Sequence, residues 1–89
     1  MLRISEISTS SESVILLLEG QVGNHSTEIV REAVEQVLRQ GHSLTLDLSG
    51  VLFADRSGLA LLRELHQQHV TLINGSPFLK EQLKETTTI

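Results

Sequence analysis

Cysteine is missing from the sequence altogether, which removes disulfide frameworks, thiolate metal sites and cysteine nucleophiles from consideration. Tryptophan and tyrosine are missing too, and phenylalanine occurs only twice. Platforms for stacking bases are therefore scarce, and a formal net charge of −4 is the wrong sign for nucleic acid. No charged tail compensates. The stretch to Thr45 has three Arg against six Glu, and the remainder has four cations against five anions. The longest apolar run, Val14 to Leu18, is far too short to cross a bilayer, and no basic segment with a signal-like apolar stretch opens the chain. These features predict a cytoplasmic protein with no direct membrane insertion.

Patterns that bring chemistry are absent as well. No Walker or dinucleotide glycine motif occurs, and Ser57-Gly58 is not the Gly-x-Ser-x-Gly elbow of a serine hydrolase. His66 and His69 offer two imidazoles three residues apart, and no third ligand stands near them for a metal. The expectation is a non-enzymatic protein with no cofactor and no metal.

What is present suits one small globular domain spanning residues 1–89. With so few aromatics, Leu, Ile and Val must build its core. Leu2, Ile4 and Ile7 read as a first strand, and Thr9 to Glu12 as a polar turn, so the chain opens with a hairpin. Val14 to Leu18 is apolar at every position, which fits a strand covered on both faces or a central one, ending at Gly20.

From Glu28 to Gln40 the period changes. Ile29, Val30, Ala33, Val34, Val37 and Leu38 form a helical stripe, Gly41 stops it, and Asn24 or Ser26 can cap its start. Glu35 and Arg39 are spaced as a surface pair. Ser43 to Leu48 alternates strictly and directs three leucines toward the helix layer. A helix from Ser57 to Gln68, carried by Leu59, Leu62, Leu65 and His66, and a strand from His69 to Ile73 follow. Ser76-Pro77 is a cap and a first-turn proline; Phe78, Leu79 and Leu83 give that last helix an apolar edge, and Glu85 to Ile89 reads as a frayed end or short edge strand. The fold class is α/β: about four strands in a mixed, mostly parallel sheet, an N-terminal hairpin and about three helices joined by right-handed crossovers.

The informative stretch is Leu46 to Leu62, which reads as strand, buried hydrophobic connection, polar corner and helix. Functional groups in open α/β sheets collect beyond the carboxyl ends of the strands, where this corner lies. Asp55 suits a cap, Ser57 falls near the positive helix pole, and Gly58 permits close backbone approach. Asp47 is either a solvated strand residue or part of an acidic corner with Asp55.

Asp47-Leu48-Ser49 followed by Asp55-Arg56-Ser57-Gly58-Leu59 resembles the STAS family of anti-sigma factor antagonists. Its signature is a strand ending in Asp-Leu-Ser, an apolar pair, then Asp-Ser-Ser-Gly-Leu opening a helix. The order of elements from Val14 to Leu83 agrees, so the likeness covers most of the chain. The resemblance implies a regulatory module that docks on an anti-sigma factor serine kinase through Asp55, Arg56, Ser57 and Gly58. It also implies Ser57 as phosphoacceptor, with phosphate abolishing docking.

Arg56 stands where the family motif has its first serine. An arginine there can pair with a phosphate, and it also fits a second STAS setting, the small cytoplasmic subunit of a lipid-trafficking ABC transporter, which needs no phosphate. A small-ligand sensor is a third reading. Two simpler roles stay open: Ser57 as a mere helix starter, Asp55 as a cap alone. The chain stops sooner than family members ordinarily do, and an uncovered sheet edge would admit a second copy as a homodimer.

Overall fold

A computed structural model describes residues 1–85. Strands β1 (Leu2–Thr9), β2 (Ser13–Val22), β3 (Ser43–Ala54) and β4 (Thr71–Ile73) form one sheet in the order β1-β2-β3-β4. Helices α1 (Thr27–Arg39), α2 (Arg56–Gln67) and α3 (Pro77–Glu85) follow β2, β3 and β4 in turn. The opening hairpin is antiparallel, while β2·β3 and β3·β4 are parallel. Both crossovers step the same way along the sheet, so a right-handed path puts α1 and α2 on one face. None of the described helices is long and apolar enough to cross a membrane.

Alternation along the strands decides that face. Val14, Leu16 and Leu18 of β2 and Leu44, Leu46 and Leu48 of β3 are buried against Val30, Val34 and Val37 of α1 and Leu61, Leu62 and Leu65 of α2. Burying a leucine contributes roughly 1.5–3 kcal/mol, against about 1 kcal/mol for a helix cap. Packing therefore positions the helices, and caps fix their first turns. Ile15 and Leu17 point the other way and are only half-buried. Of the two expectations for this run, the central position holds and cover on both faces does not.

Two strands run longer than their sequences suggest. Gly20 does not end β2; it adopts φ +113°, and a β-carbon there would lie 2.2 Å from the Met1 carbonyl oxygen. Leu48-Ser49-Gly50 does not end β3 either. Between paired positions, β2 advances from Leu17 to Glu19 while β3 advances from Asp47 to Gly50; β2 then moves from Gly20 to Gln21 while β3 moves from Val51 to Phe53. Each step leaves one extra residue on β3, the signature of a bulge, which bends and twists a strand.

At the helix ends, Ser26 occupies the start of α1 but its hydroxyl makes no cap. Instead its oxygen accepts the Gly23 N–H at 2.9 Å and its proton is directed at backbone carbonyls of Gln21 and Gly23, both 3.2 Å away. Ser76 does cap α3, accepting the Leu79 N–H at 3.1 Å. Leu79 is buried and Leu83 partly so, but Phe78 is 69% exposed and leaves the expected apolar edge. His66 is exposed, and Leu61 takes its place in the α2 stripe. Arg31 of α1 pairs with Glu64 of α2, a contact between helices that spacing within one helix does not anticipate. The tail at 86–89 lies outside the described residues.

Candidate functional site

The end of β2, the end of β3 and the start of α2 converge on Asp55. Its N–H donates to the Val22 carbonyl at 3.1 Å, which ties the corner to β2. Its Oδ1 accepts the Gly58 N–H at 2.9 Å and caps α2, as the sequence leads one to expect. The other oxygen, Oδ2, accepts the N–H of Asn24 at 3.0 Å from the loop before α1. One carboxylate thus satisfies two backbone donors, one in its own turn and one 31 residues earlier in the chain. These bonds favour the charged form, Gly58 first and Asn24 next, and hold the Asp55 carboxyl below its ordinary range; smaller aid comes from the Ser57 N–H and the charge of His25.

Gly58 makes this geometry feasible. It is buried, and a β-carbon would stand 2.0 Å from the Val22 carbonyl oxygen. The helix start is pressed against the end of β2 without a side chain between them. Arg56 and Ser57, the residues between the cap and the glycine, are both exposed. The four corner residues therefore divide: Asp55 and Gly58 hold the turn together, Arg56 and Ser57 face outward.

Beside them lies a surface that periodicity does not reveal. The supposedly buried connection Val51 to Ala54 is instead the last part of β3, with Val51 and Ala54 buried but Leu52 85% and Phe53 55% exposed. Leu52 is the extra residue of the second bulge, with no partner in the β2 register, and so turns out. Phe78 of α3 lines one cleft with Leu52 and Phe53. Only the register of β2 against β3 produces this patch, so alternation along β3 alone could not signal it.

Asp47 is not part of the corner. It lies in register with Leu17 and Ile73 on the sheet face opposite the helices. Its Oδ1 accepts the Ser49 N–H at 2.9 Å. That bond, with the Ser49 hydroxyl and the Asn74 side chain adding to it against a smaller burial effect, lowers its pKa. Among the described residues no group of three or more His, Asp or Glu is placed to hold a metal.

This element order agrees with what the chain is similar to. A family model described as "Mlab, STAS domain" matches residues 5–85. The chain belongs to the STAS family. Two solved structures share its fold: the anti-sigma factor antagonist SpoIIAA in its unphosphorylated form, with TM-score 0.68 and 23% identity over 92% of this chain and 82% of that one, and the Bacillus cell fate determinant SpoIIAA in the phosphorylated form, with TM-score 0.67 and 23% identity over 94% and 83%. Among curated protein sequences none matches significantly. The STAS fold expected from Asp47-Leu48-Ser49 and Asp55 to Leu59 is thus present: a four-stranded mixed sheet with three helices.

Proposed function

We propose that this STAS domain is a non-enzymatic regulatory module of the cytoplasm, and that a protein partner lands on the corner formed by Asp55, Arg56, Ser57 and Gly58. The observation that carries the reading is the division of that corner. Asp55 is spent on holding two backbone segments, while Arg56 and Ser57 stand exposed beside the apolar Leu52 and Phe53. Exposed apolar side chains rimmed by polar ones mark protein contact surfaces.

The partner in this reading is an anti-sigma factor serine kinase, and Ser57 is its phosphoacceptor. A phosphate would add about −1.5 to −2 charge at neutral pH. At the N-terminus of α2 the helix dipole and Arg56 favour that charge, so the fold tolerates it. The docked partner would meet a bulky dianion on a surface it must desolvate, and binding would fail. Capture of the kinase by Ser57→Asp should be at least about tenfold weaker than by Ser57→Ala. Equal capture by both removes the switch.

Two observations favour a second setting: Arg56 replaces the first serine of the phosphorylation motif, and the matching family model carries the Mlab description. In that setting the module is the STAS subunit of a lipid-trafficking ABC transporter and steadies its ATPase without phosphate. Affinity purification followed by mass spectrometry separates the two, since one predicts a co-purifying kinase and the other an ATPase.

A further inference from the structure

We infer that the groove between α2 and α3 receives a helical segment of the partner protein, one that presents two carboxylates seven residues apart with an aliphatic side chain between them. The inference rests on the docking reading above and specifies the partner's chemistry.

Arg56, Leu59 and Arg63 fall at i, i+3 and i+7 of α2, which makes them one stripe of that helix. All three line a single groove of about 450 Å³, together with Phe53, Ala54 and Asp55 and with Gln82 of α3. At 1.5 Å of rise per residue the two arginines are anchored about 10 Å apart. A partner helix has the same rise, so carboxylates at its own i and i+7 match them in spacing. Leu59, half-buried between the arginines, offers the apolar contact such a helix would cover.

Charge selects the occupant. The chain as a whole is at −4, yet this groove is walled by two guanidinium groups. Asp55 also lines it and stays ionised under its bonds from the Gly58 and Asn24 N–H groups, so two cations stand there against one anion. The Nε of Arg63 is buried and, among the described residues, has no hydrogen-bond partner. That atom is closed to solvent, so a carboxylate arriving in the groove would meet the terminal guanidinium nitrogens of Arg56 and Arg63, in the forked geometry that arginine favours. An acidic segment is therefore preferred over a basic one, and placement of its charges fixes its register.

The test uses the full chain and two labelled synthetic helical peptides of about 15 residues. One carries Glu at two positions seven apart with Leu at the third and fourth positions after the first Glu; the other has Lys for both Glu. Titration followed by ¹⁵N chemical shifts should show the Glu peptide binding with shifts centred on Phe53, Leu59, Arg63 and Gln82. The Lys peptide should bind at least about tenfold more weakly. Arg56→Glu, at an exposed position, should reverse that preference, and Arg63→Gln should weaken the Glu peptide about tenfold with no change in its melting curve.

Equal binding of the two peptides, or no shifts in the groove at peptide concentrations on the order of 1 mM, would overturn the inference. So would self-association of the chain that Arg63→Gln abolishes, which would assign the groove to a second copy. Capture of a kinase or ATPase that responds to Ser57→Asp but not to Arg63→Gln would retain the docking reading and remove this one.

Discussion

The α-carbon of Gly58 faces the carbonyl of Val22 so closely that a β-carbon would sit 2.0 Å from its oxygen. The glycine of the Asp-Arg-Ser-Gly turn is thus fixed by the end of β2, a strand it never joins. Gly58→Ala forces the start of α2 away from the sheet, a form of overpacking that costs about 1–3 kcal/mol. For a chain of this length the melting temperature should fall on the order of 10 °C. An unchanged melting curve would mean that the contact is not tight.

Asp55 should matter to stability through both of its oxygens. Asp55→Ala removes the cap of α2 and the bond to Asn24 together, whereas Asp55→Ser restores a cap and leaves the Asn24 N–H unmatched. The serine variant should melt between wild type and the alanine variant. If the two variants melt together, the link to Asn24 does most of the stabilising.

Acid should expose the same group. Asp47 and Asp55 both have pKa values below the ordinary range in the folded protein. In the unfolded chain they bind protons near pH 3.9, so as pH falls past that value the unfolded state takes up more protons and stability declines. Their contribution is complete above the unfolded pKa and disappears as pH drops through the folded one. Urea midpoints for wild type should therefore fall more steeply between about pH 5 and pH 2 than those for Asp55→Asn, whose side chain cannot titrate. Parallel pH profiles would contradict the assignment.

Leu52 should be dispensable for folding and needed for docking. At 85% exposure its replacement by Gln should change stability by less than about 0.5 kcal/mol, while weakening capture of the partner. A large loss of stability would show that Leu52 packs against its own chain in solution.

Arg31 and Glu64 join α1 to α2 at half-exposed positions. Pairs in such surroundings couple by roughly 0.2–1 kcal/mol and are screened by salt. A double-mutant cycle with Arg31→Ala and Glu64→Ala should return a value in that range at low salt and a smaller one in high salt. A coupling well above the range would show that the pair is far less solvated than its exposure implies.

Much of the fold is legible in the residues because it depends on local period. The alternation from Ser43 to Leu48, the stripe through Val30, Val34 and Val37, and the Ser76-Pro77 start of α3 are all signals that a few neighbouring residues carry. The extensions of β2 past Gly20 and of β3 past Gly50 are not local, because each strand continues only by pairing with the other through two bulges. The same cause hides the exposure of Leu52 and Phe53, which in sequence look like a buried linker. Asp55 as a cap is readable from its position before a helix. Its bond to Asn24, and the grip of Val22 on Gly58, require the ends of two strands to meet.

The hairpin has a practical corollary. Because β1 runs antiparallel to β2, Leu2 pairs with Gly20 and the Met1 carbonyl accepts the Gln21 N–H at 3.4 Å, two positions or fewer from Val22, which holds Asp55. Whatever is fused ahead of Met1, whether an affinity tag or a further stretch of polypeptide, emerges on the same rim as Arg56 and Ser57. Interaction assays with an amino-terminal fusion would place the added mass beside the surface under test.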